Sequence, residues 1–384
     1  MWLGQATPAR QLGWYTRRSC GEGATGWLSL VAPHEAAMSV TLPSIPASRT
    51  ADLSIGTFRT EAGGVIRDAR LRYRVYGDLA LGRSHGASLV FHALTGSAEV
   101  ESWWAPVIGP GKALDTNRHP VIAANLLGSC YGSSGPSETT DGSFPSLTPM
   151  DLARAHIPLL EHLGISRLVL VTGGSLGGMV ALQWGLITPV PVERLVVFAA
   201  PARTSAQAIA WNVAQRLAIE ADPAWAGGRY PVGQGPAAGL AAARSIAMIT
   251  YRSVIEFEER FGRRESKRPG QFDVEYYLRR HGEKLVARFD ARSYVALMEA
   301  MDAHDVGDLE NAGRLTARNA TETVGVGIDT DILYYPGEVR GWVEGYTRGG
   351  ANARYVEIAT PYGHDAFLIE FEQVDAILRG ESKK

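Results

Sequence analysis

The sequence predicts an α/β fold with a mostly parallel central sheet, and three observations carry that reading. Short apolar runs recur without polar alternation, as expected for strands buried on both faces. Segments of helical period separate many of these runs, the pattern of strand and helix alternating along a chain. Late in the chain the alternation lapses for roughly a hundred mainly helical residues, which read as a cap inserted between two core strands. The composition agrees: 384 residues, 45% hydrophobic and 20% charged, supply a sizeable core and exclude a disordered or fibrous chain. A net charge of −2 offers no global field for nucleic acid or an anionic membrane. Two cysteines, Cys20 and Cys130, exclude a disulfide scaffold and point to a reducing, cytoplasmic setting. No run approaches the ~18 apolar residues a membrane span requires.

Taken in order, residues 1–50 read as an N-terminal arm, disordered or not native, because neither helical nor strand period appears before Leu53. Arg17-Arg18 is followed by Ser19-Cys20-Gly21 rather than an apolar run, which argues against an export signal. Met38 is a candidate for the true start. Residues 51–203 read as the first part of the core. They open with LSIGTFRT, a Glu-Ala-Gly-Gly turn, and a second strand in which Leu71, Tyr73 and Val75 alternate, which together make an antiparallel hairpin. Strands follow near 88–94, 120–127, 167–174 and 195–201. One helix is expected over SLTPMDLARAHIPLLEHLGI, with Met150, Ala153, Ile157 and Leu160 at helical spacing and Gly164 as its stop. Residues 204–320 form the expected cap, in which Ile209, Val213 and Leu217 mark one amphipathic helix. Residues 321–384 return to the core with strands near 322–329 and 353–360.

The central motif is Gly173-Gly174-Ser175-Leu176-Gly177. A nucleophile elbow holds its serine on a strained strand-to-helix turn, so the flanking positions need residues without bulk. With 43 glycines, about 0.3 chance matches are expected in such a chain. A second match exists, Gly82-Arg83-Ser84-His85-Gly86, but it lies in an expected polar loop before a strand. Ser175 instead follows RLVLVTG and precedes a segment of helical character, and is the candidate nucleophile.

A serine hydroxyl needs a base, and the base an orienting acid, in the chain order Ser, acid, His for this kind of elbow. Of the nine histidines, His281, His304 and His364 follow Ser175, and only His364 sits on a loop after a core strand. The acid belongs at the end of ETVGVGI, where Asp329 and Asp331 both qualify; Asp331, further into the loop, is preferred. Charge developing on an acyl oxygen calls for backbone N–H donors. Leu176 supplies one, and the loop HALTGSA the other, with Leu94 ahead of Thr95.

GGSLGGMVALQW, HALTGSAEV, NLLGSCYGSSGP, AQRLAIEADPAWAGGRY, HDVG and YGHDAFLIE, in this order, resemble the homoserine O-acetyltransferases. The resemblance runs from Leu53 to Leu378 and implies the α/β-hydrolase fold with an inserted helical cap. It further implies a Ser175 acyl-enzyme and ping-pong transfer from acetyl-CoA to the hydroxyl of L-homoserine, giving O-acetyl-L-homoserine for methionine biosynthesis. Asp331 would be the acid and His364 the base, and two copies would join through the cap as a homodimer. Arg216 and Asp365 would bind the acceptor, a guanidinium suiting its carboxylate and a carboxylate its ammonium. Acetyl-CoA enters as co-substrate, and no cofactor is implied. Alternatives are a homoserine or serine O-succinyltransferase, an esterase with the same triad, and a silent scaffold used for binding.

The remaining signals are weak. GPGK at 109–112 and GSCYGSSGP at 128–136 do not match a phosphate-loop pattern. The basic run RFGRRESKRPG reads as a solvated loop, with a contact to CoA phosphates as the alternative. No His or Cys spacing suggests a metal.

Overall fold

The computed structural model describes residues 48–139, 141–187 and 189–381. Its strands are β1 (Ser48–Arg59), β2 (Val65–Tyr76), β3 (Ala87–Phe91), β4 (Val121–Ala124), β5 (Leu168–Gly174), β6 (Val192–Phe198), β7 (Ala320–Ile328) and β8 (Ala353–Ile358). They form one sheet in the order β1-β2-β4-β3-β5-β6-β7-β8. The β1–β2 hairpin joins antiparallel through β2 and β4, and β4 through β8 run parallel. β1 begins within the segment expected to be an arm; residues 1–47 of that segment lie outside the described residues.

Continuous apolar strands work here because alternate residues serve opposite faces. Leu195 and Val197 of β6 pack in one cluster with Leu89, Val171 and Trp184, while Val196 and Phe198 pack in the other with Trp104, Val324 and Ile358. Helices cover both faces, so residues 195–198 of β6 are buried on both sides.

Three local expectations are corrected. The single helix over 149–164 is two, Pro149–Arg154 and Ile157–Leu163. Pro158 has no N–H to give the Arg154 carbonyl and its ring crowds that residue, so the helical ladder is interrupted at Ala155–His156 and Pro158 takes a place in the first turn of the second helix. Gly164 closes the second helix with φ 71°. The rejected serine motif lies on a helix, Leu79–His85, capped by Asp78, rather than in a loop. Its Ser84 hydroxyl is exposed and donates to the Ala80 carbonyl.

Between β6 and β7 the described chain runs through the helices Ala206–Glu220, Ala237–Thr250, Val254–Arg260, Asp273–Val286, Ala291–Asp302 and Leu309–Asn319. The first is amphipathic in the opposite sense to expectation. Its inward face is Ala208, Asn212, Gln215 and Ile219, whereas Val213 and Leu217 are 37% and 58% exposed. A helix that turns amides inward is serving something polar.

Candidate active site

Ser175 sits between the end of β5 and the helix Leu176–Ile187, with φ 57°, a left-handed conformation that a serine adopts only when its surroundings impose it. Its N–H donates to the Phe198 carbonyl at 3.0 Å and its carbonyl accepts from Met179 at 2.9 Å, so both sides of the peptide are held. The flanking glycines allow the turn to pack. A Cβ on Gly177 would lie 2.2 Å from the Phe91 carbonyl oxygen, and one on Gly174 would lie 2.4 Å from the Phe367 ring. The helix start therefore abuts the end of β3, and the serine turn abuts the segment carrying His364. Ser175 itself is 5% exposed.

His364 lies on a short helical turn, Gly363–Leu368, after β8. Its Nδ1 meets Asp331 Oδ2 at 2.7 Å, and both side chains are buried. The other Asp331 oxygen, Oδ1, accepts the N–H groups of Leu333 at 2.8 Å and Tyr334 at 3.0 Å. The carboxylate is thus fixed in plane and offers one oxygen to the imidazole. That fixes the tautomer: Nδ1 donates, leaving Nε2 free to accept a proton. His364 Nε2 is buried and has no hydrogen-bond partner among the described residues. Burial pushes this imidazole toward neutrality, but the charge and hydrogen bond of Asp331, with the charge of Asp365, hold its pKa above the ordinary 6.5. The rings of Tyr334, Tyr251 and Phe367 surround it at 5.3, 5.7 and 5.8 Å.

The two aspartates that the sequence left open have different tasks. Asp331 faces His364, whereas Asp329 Oδ1 accepts from Thr360 N–H at 3.0 Å. Thr330 between them donates its hydroxyl to the Thr360 carbonyl at 2.7 Å and accepts from Gly363 N–H at 3.0 Å. Asp329 and Thr330 strap the acid loop to the histidine loop, and Asp331 orients the ring.

Leu176 is the first residue of its helix, so its N–H has no intrahelical acceptor. Leu94 is buried in the turn after β3, and its N–H meets no acceptor among the described residues. Thr95, the second choice, accepts from Arg288 at its carbonyl at 2.7 Å, and its N–H likewise meets no acceptor among the described residues.

Arg216 and Asp365 are each one half of an ion pair. Arg216 Nη1 meets Asp302 Oδ2 at 2.6 Å, and Asn212 Nδ2 donates to the other oxygen of Asp302 at 2.7 Å. Asp365 meets Arg252 at 3.3 Å, and Arg252 also reaches Glu256 at 3.2 Å. Asp302 and Arg252 were not singled out from the sequence. The signal available for the first was the polar inward face of Ala206–Glu220, which needs a polar counterpart.

A cleft of about 1040 Å³ opens beside the Leu94 turn, lined by Thr95, Trp103, Tyr131, Arg244 and Arg288 among others. Arg244 lies over the Tyr251 ring at 5.4 Å, and Arg288 donates to Thr95 and Tyr131. Neither arginine pairs with a carboxylate among the described residues. The basic run near 260–270 does not line this cleft. Cys130 does, half-buried, its thiol pushed up by burial and so a poor nucleophile. Among the described residues, no three His, Cys, Asp or Glu side chains could hold a metal ion, and no helix is long and apolar enough to cross a membrane.

A profile of the alpha/beta hydrolase fold matches residues 89–288. The homoserine O-acetyltransferase of Moorella thermoacetica is 42% identical over 343 residues, spanning 83% of this chain and 91% of that one. The crystal structure of homoserine O-acetyltransferase from Staphylococcus aureus superposes with a TM-score of 0.71 at 28% identity, covering 87% of this chain and 95% of that one. Esterase E22 superposes with a TM-score of 0.78 at 23% identity, covering 87% of this chain and all of that one, a likeness of fold.

Proposed function

We infer the reaction from membership: the chain belongs to the homoserine O-acetyltransferase family, within the α/β-hydrolase fold, and it moves an acetyl group to the hydroxyl of L-homoserine. The observation that carries this reading down to residues is the buried His364–Asp331 pair beside the strained Ser175 turn. In this reading Ser175 Oγ attacks the thioester carbonyl of acetyl-CoA while His364 Nε2 takes its proton. The developing oxyanion lies between the N–H groups of Leu94 and Leu176, at the positive end of the Leu176–Ile187 helix. His364 returns the proton to the departing thiol. L-homoserine then enters, gives its hydroxyl proton to His364, and attacks the acetyl-serine, so that Ser175 is regenerated and O-acetyl-L-homoserine leaves for methionine biosynthesis. One base serves both halves of a ping-pong cycle.

Asp331 prepares His364 for both steps, holding Nδ1 as donor and favouring the imidazolium that forms in each. The open guanidinium nitrogens of Arg216 suit the acceptor carboxylate and Asp365 its ammonium, each from within an ion pair that fixes its rotamer. Arg244 and Arg288, free of carboxylate partners in the wide cleft, suit the phosphates of a CoA thioester. No metal or prosthetic group is needed, because every charge that develops meets a protein donor. Val213 and Leu217 on the cap, exposed together with Val254 and Ile255, favour a homodimer joined there, and two cysteines favour the cytoplasm.

The test is release of free CoA from acetyl-CoA by the purified protein, with and without L-homoserine, beside Ser175→Ala. Release that needs both homoserine and Ser175 supports the reading. Release indifferent to homoserine points to hydrolysis or another acceptor. Activity only with succinyl-CoA, or only with L-serine, would move the assignment within the acyltransferases.

A further inference from the structure

The Leu94 N–H can stabilise an oxyanion only if it is aimed, and the structure shows what aims it. The N–H of Leu94 and the carbonyl of Ala93 belong to one planar trans peptide, so they point in opposite directions. Whatever fixes the Ala93 oxygen fixes the direction of the Leu94 hydrogen. Two donors hold that oxygen: Gly96 N–H at 2.9 Å and the His92 ring through Nδ1 at 2.8 Å. A carbonyl only accepts, so Nδ1 carries the proton. The opposite nitrogen, Nε2, meets Leu126 N–H at 3.0 Å, and an amide only donates, so Nε2 is bare. His92 is therefore held as a single neutral tautomer by two one-way partners, one after β3 and one after β4. It is 1% exposed, and burial drops its pKa to about 4, so it stays neutral wherever the enzyme works.

We propose that His92 is a positioning residue for the oxyanion hole, its Nδ1–H locking the Ala93 carbonyl so that the Leu94 N–H faces the acyl oxygen. The proposal rests on Leu94 being an oxyanion donor in the acyl-enzyme reading above. A donor on the carbonyl side also polarises the peptide and strengthens its N–H. His92 makes no contact with substrate in this scheme and moves no proton.

Two substitutions separate the halves of the ring. His92→Asn keeps a donor where Nδ1 stands and loses the acceptor for Leu126. His92→Gln places an acceptor where Nε2 stands and loses the donor to Ala93. The assay is the burst of CoA on mixing enzyme with acetyl-CoA, followed by kcat and KM with L-homoserine. A misaimed donor costs about tenfold to a hundredfold in acylation rate. That loss is expected in His92→Gln with KM for acetyl-CoA unchanged, while His92→Asn remains at least about tenfold faster than His92→Gln. Equal losses in the two variants, a loss confined to KM, or wild-type rates in both would overturn the proposal while leaving the acyl-enzyme reading intact. No burst from the wild type would overturn that reading, and the proposal with it.

If either variant fails to fold, histidine ¹⁵N–¹H correlations of the wild type decide. The expected His92 signal, told apart from that of His156, whose Nδ1 also meets a carbonyl, by its absence in His92→Gln or by assignment, is a neutral Nδ1–H ring that does not titrate from about pH 6 to 8 and shifts when Ser175 is phosphonylated. An Nε2–H tautomer, or a signal unmoved by phosphonylation, would refute the coupling between His92 and the hole.

Discussion

Replacing Asp331 by Asn tests the catalytic reading at its most constrained point. The substitution changes one oxygen into an NH₂ and leaves volume and burial alone. Which way the amide faces is decided by its surroundings. Oδ1 already receives two N–H groups, from Leu333 and Tyr334. Turning the amide to offer oxygen to His364 would set NH₂ against both of those donors, leaving buried polar groups unpaired at a cost of about 1–3 kcal/mol each. The NH₂ therefore faces His364 Nδ1, which must become the acceptor, and the proton moves to Nε2. A base protonated at Nε2 cannot take the Ser175 proton. In a serine–histidine–aspartate triad that exchange of tautomer costs about ten-thousand-fold in turnover, or about 5.4 kcal/mol of transition-state stabilisation. The pH profile adds a second reading. In the native enzyme the His364 pKa stands above 6.5, so acylation rises with pH through that raised value as the base loses its proton. Without the Asp331 charge and hydrogen bond, burial prevails, and the residual activity should have its acid limb at lower pH. The assay is the pre-steady-state rate of CoA release between about pH 5 and 9, with a thermal melt to show that the fold survives. A loss smaller than about tenfold, or an acid limb displaced upward, would refute the reasoning.

Four further outcomes follow from the geometry. Ser175→Gly and Ser175→Ala should both be inactive, but the glycine variant should melt higher by about 1 kcal/mol, because only glycine relieves φ 57° at that turn; equal melting would remove the strain argument. Arg216→Ala should raise KM for L-homoserine about tenfold to a hundredfold while sparing the CoA burst, and equal loss in both half-reactions would contradict an acceptor role. Ser253→Ala should slow both half-reactions together, because Ser253 caps its helix through Glu256 and donates to the Pro361 carbonyl beside the base, as steady-state and burst rates can check. If the proposed homodimer forms through the cap, Leu217→Glu with Val213→Glu should shift elution on size-exclusion chromatography to that of a monomer without changing the burst; an unaltered elution volume would contradict that dimer.

How much of this was legible in the sequence depends on how local each feature is. Ser175 and His364 could be proposed because an elbow and a strand-end loop are marked by their immediate neighbours. The choice between Asp329 and Asp331 was not fully legible, since both lie within two residues of one another past the same strand. What separates them is the partner: Thr360 for one, His364 for the other. Asp302 and Arg252 were invisible because their relevance depends on Arg216 and Asp365, distant in the chain and joined only by the packing of the cap. The helix Ala206–Glu220 shows why periodicity misled. An apolar stripe of Val213 and Leu217 ordinarily marks the buried face, but here the buried face carries Asn212 and Gln215. The same rule failed over 149–164, where Pro158 overrode a regular apolar spacing.

The loop carrying His364 is tied to the cap as well as to the core. Gly363, with φ 70°, lies so close to the Arg252–Ser253 backbone that a Cβ there would sit 2.7 Å from the Ser253 nitrogen. Asp365 N–H donates to the Tyr251 carbonyl at 3.1 Å, its carboxylate pairs with Arg252, and the Ser253 hydroxyl reaches Pro361. Every residue from Pro361 to Asp365 except Tyr362 is thus tied to, or packed on, the segment joining two cap helices. In the proposed reading these ties fix the distance between Asp365, the acceptor's anchor, and His364, the base that takes its proton. Ser175, by contrast, is fixed by β5, β6 and the end of β3, none of them in the cap. In the proposed reading an acceptor anchored at Arg216 and Asp365 is held beside the base, which favours attack by homoserine over attack by water, since water anchors to neither.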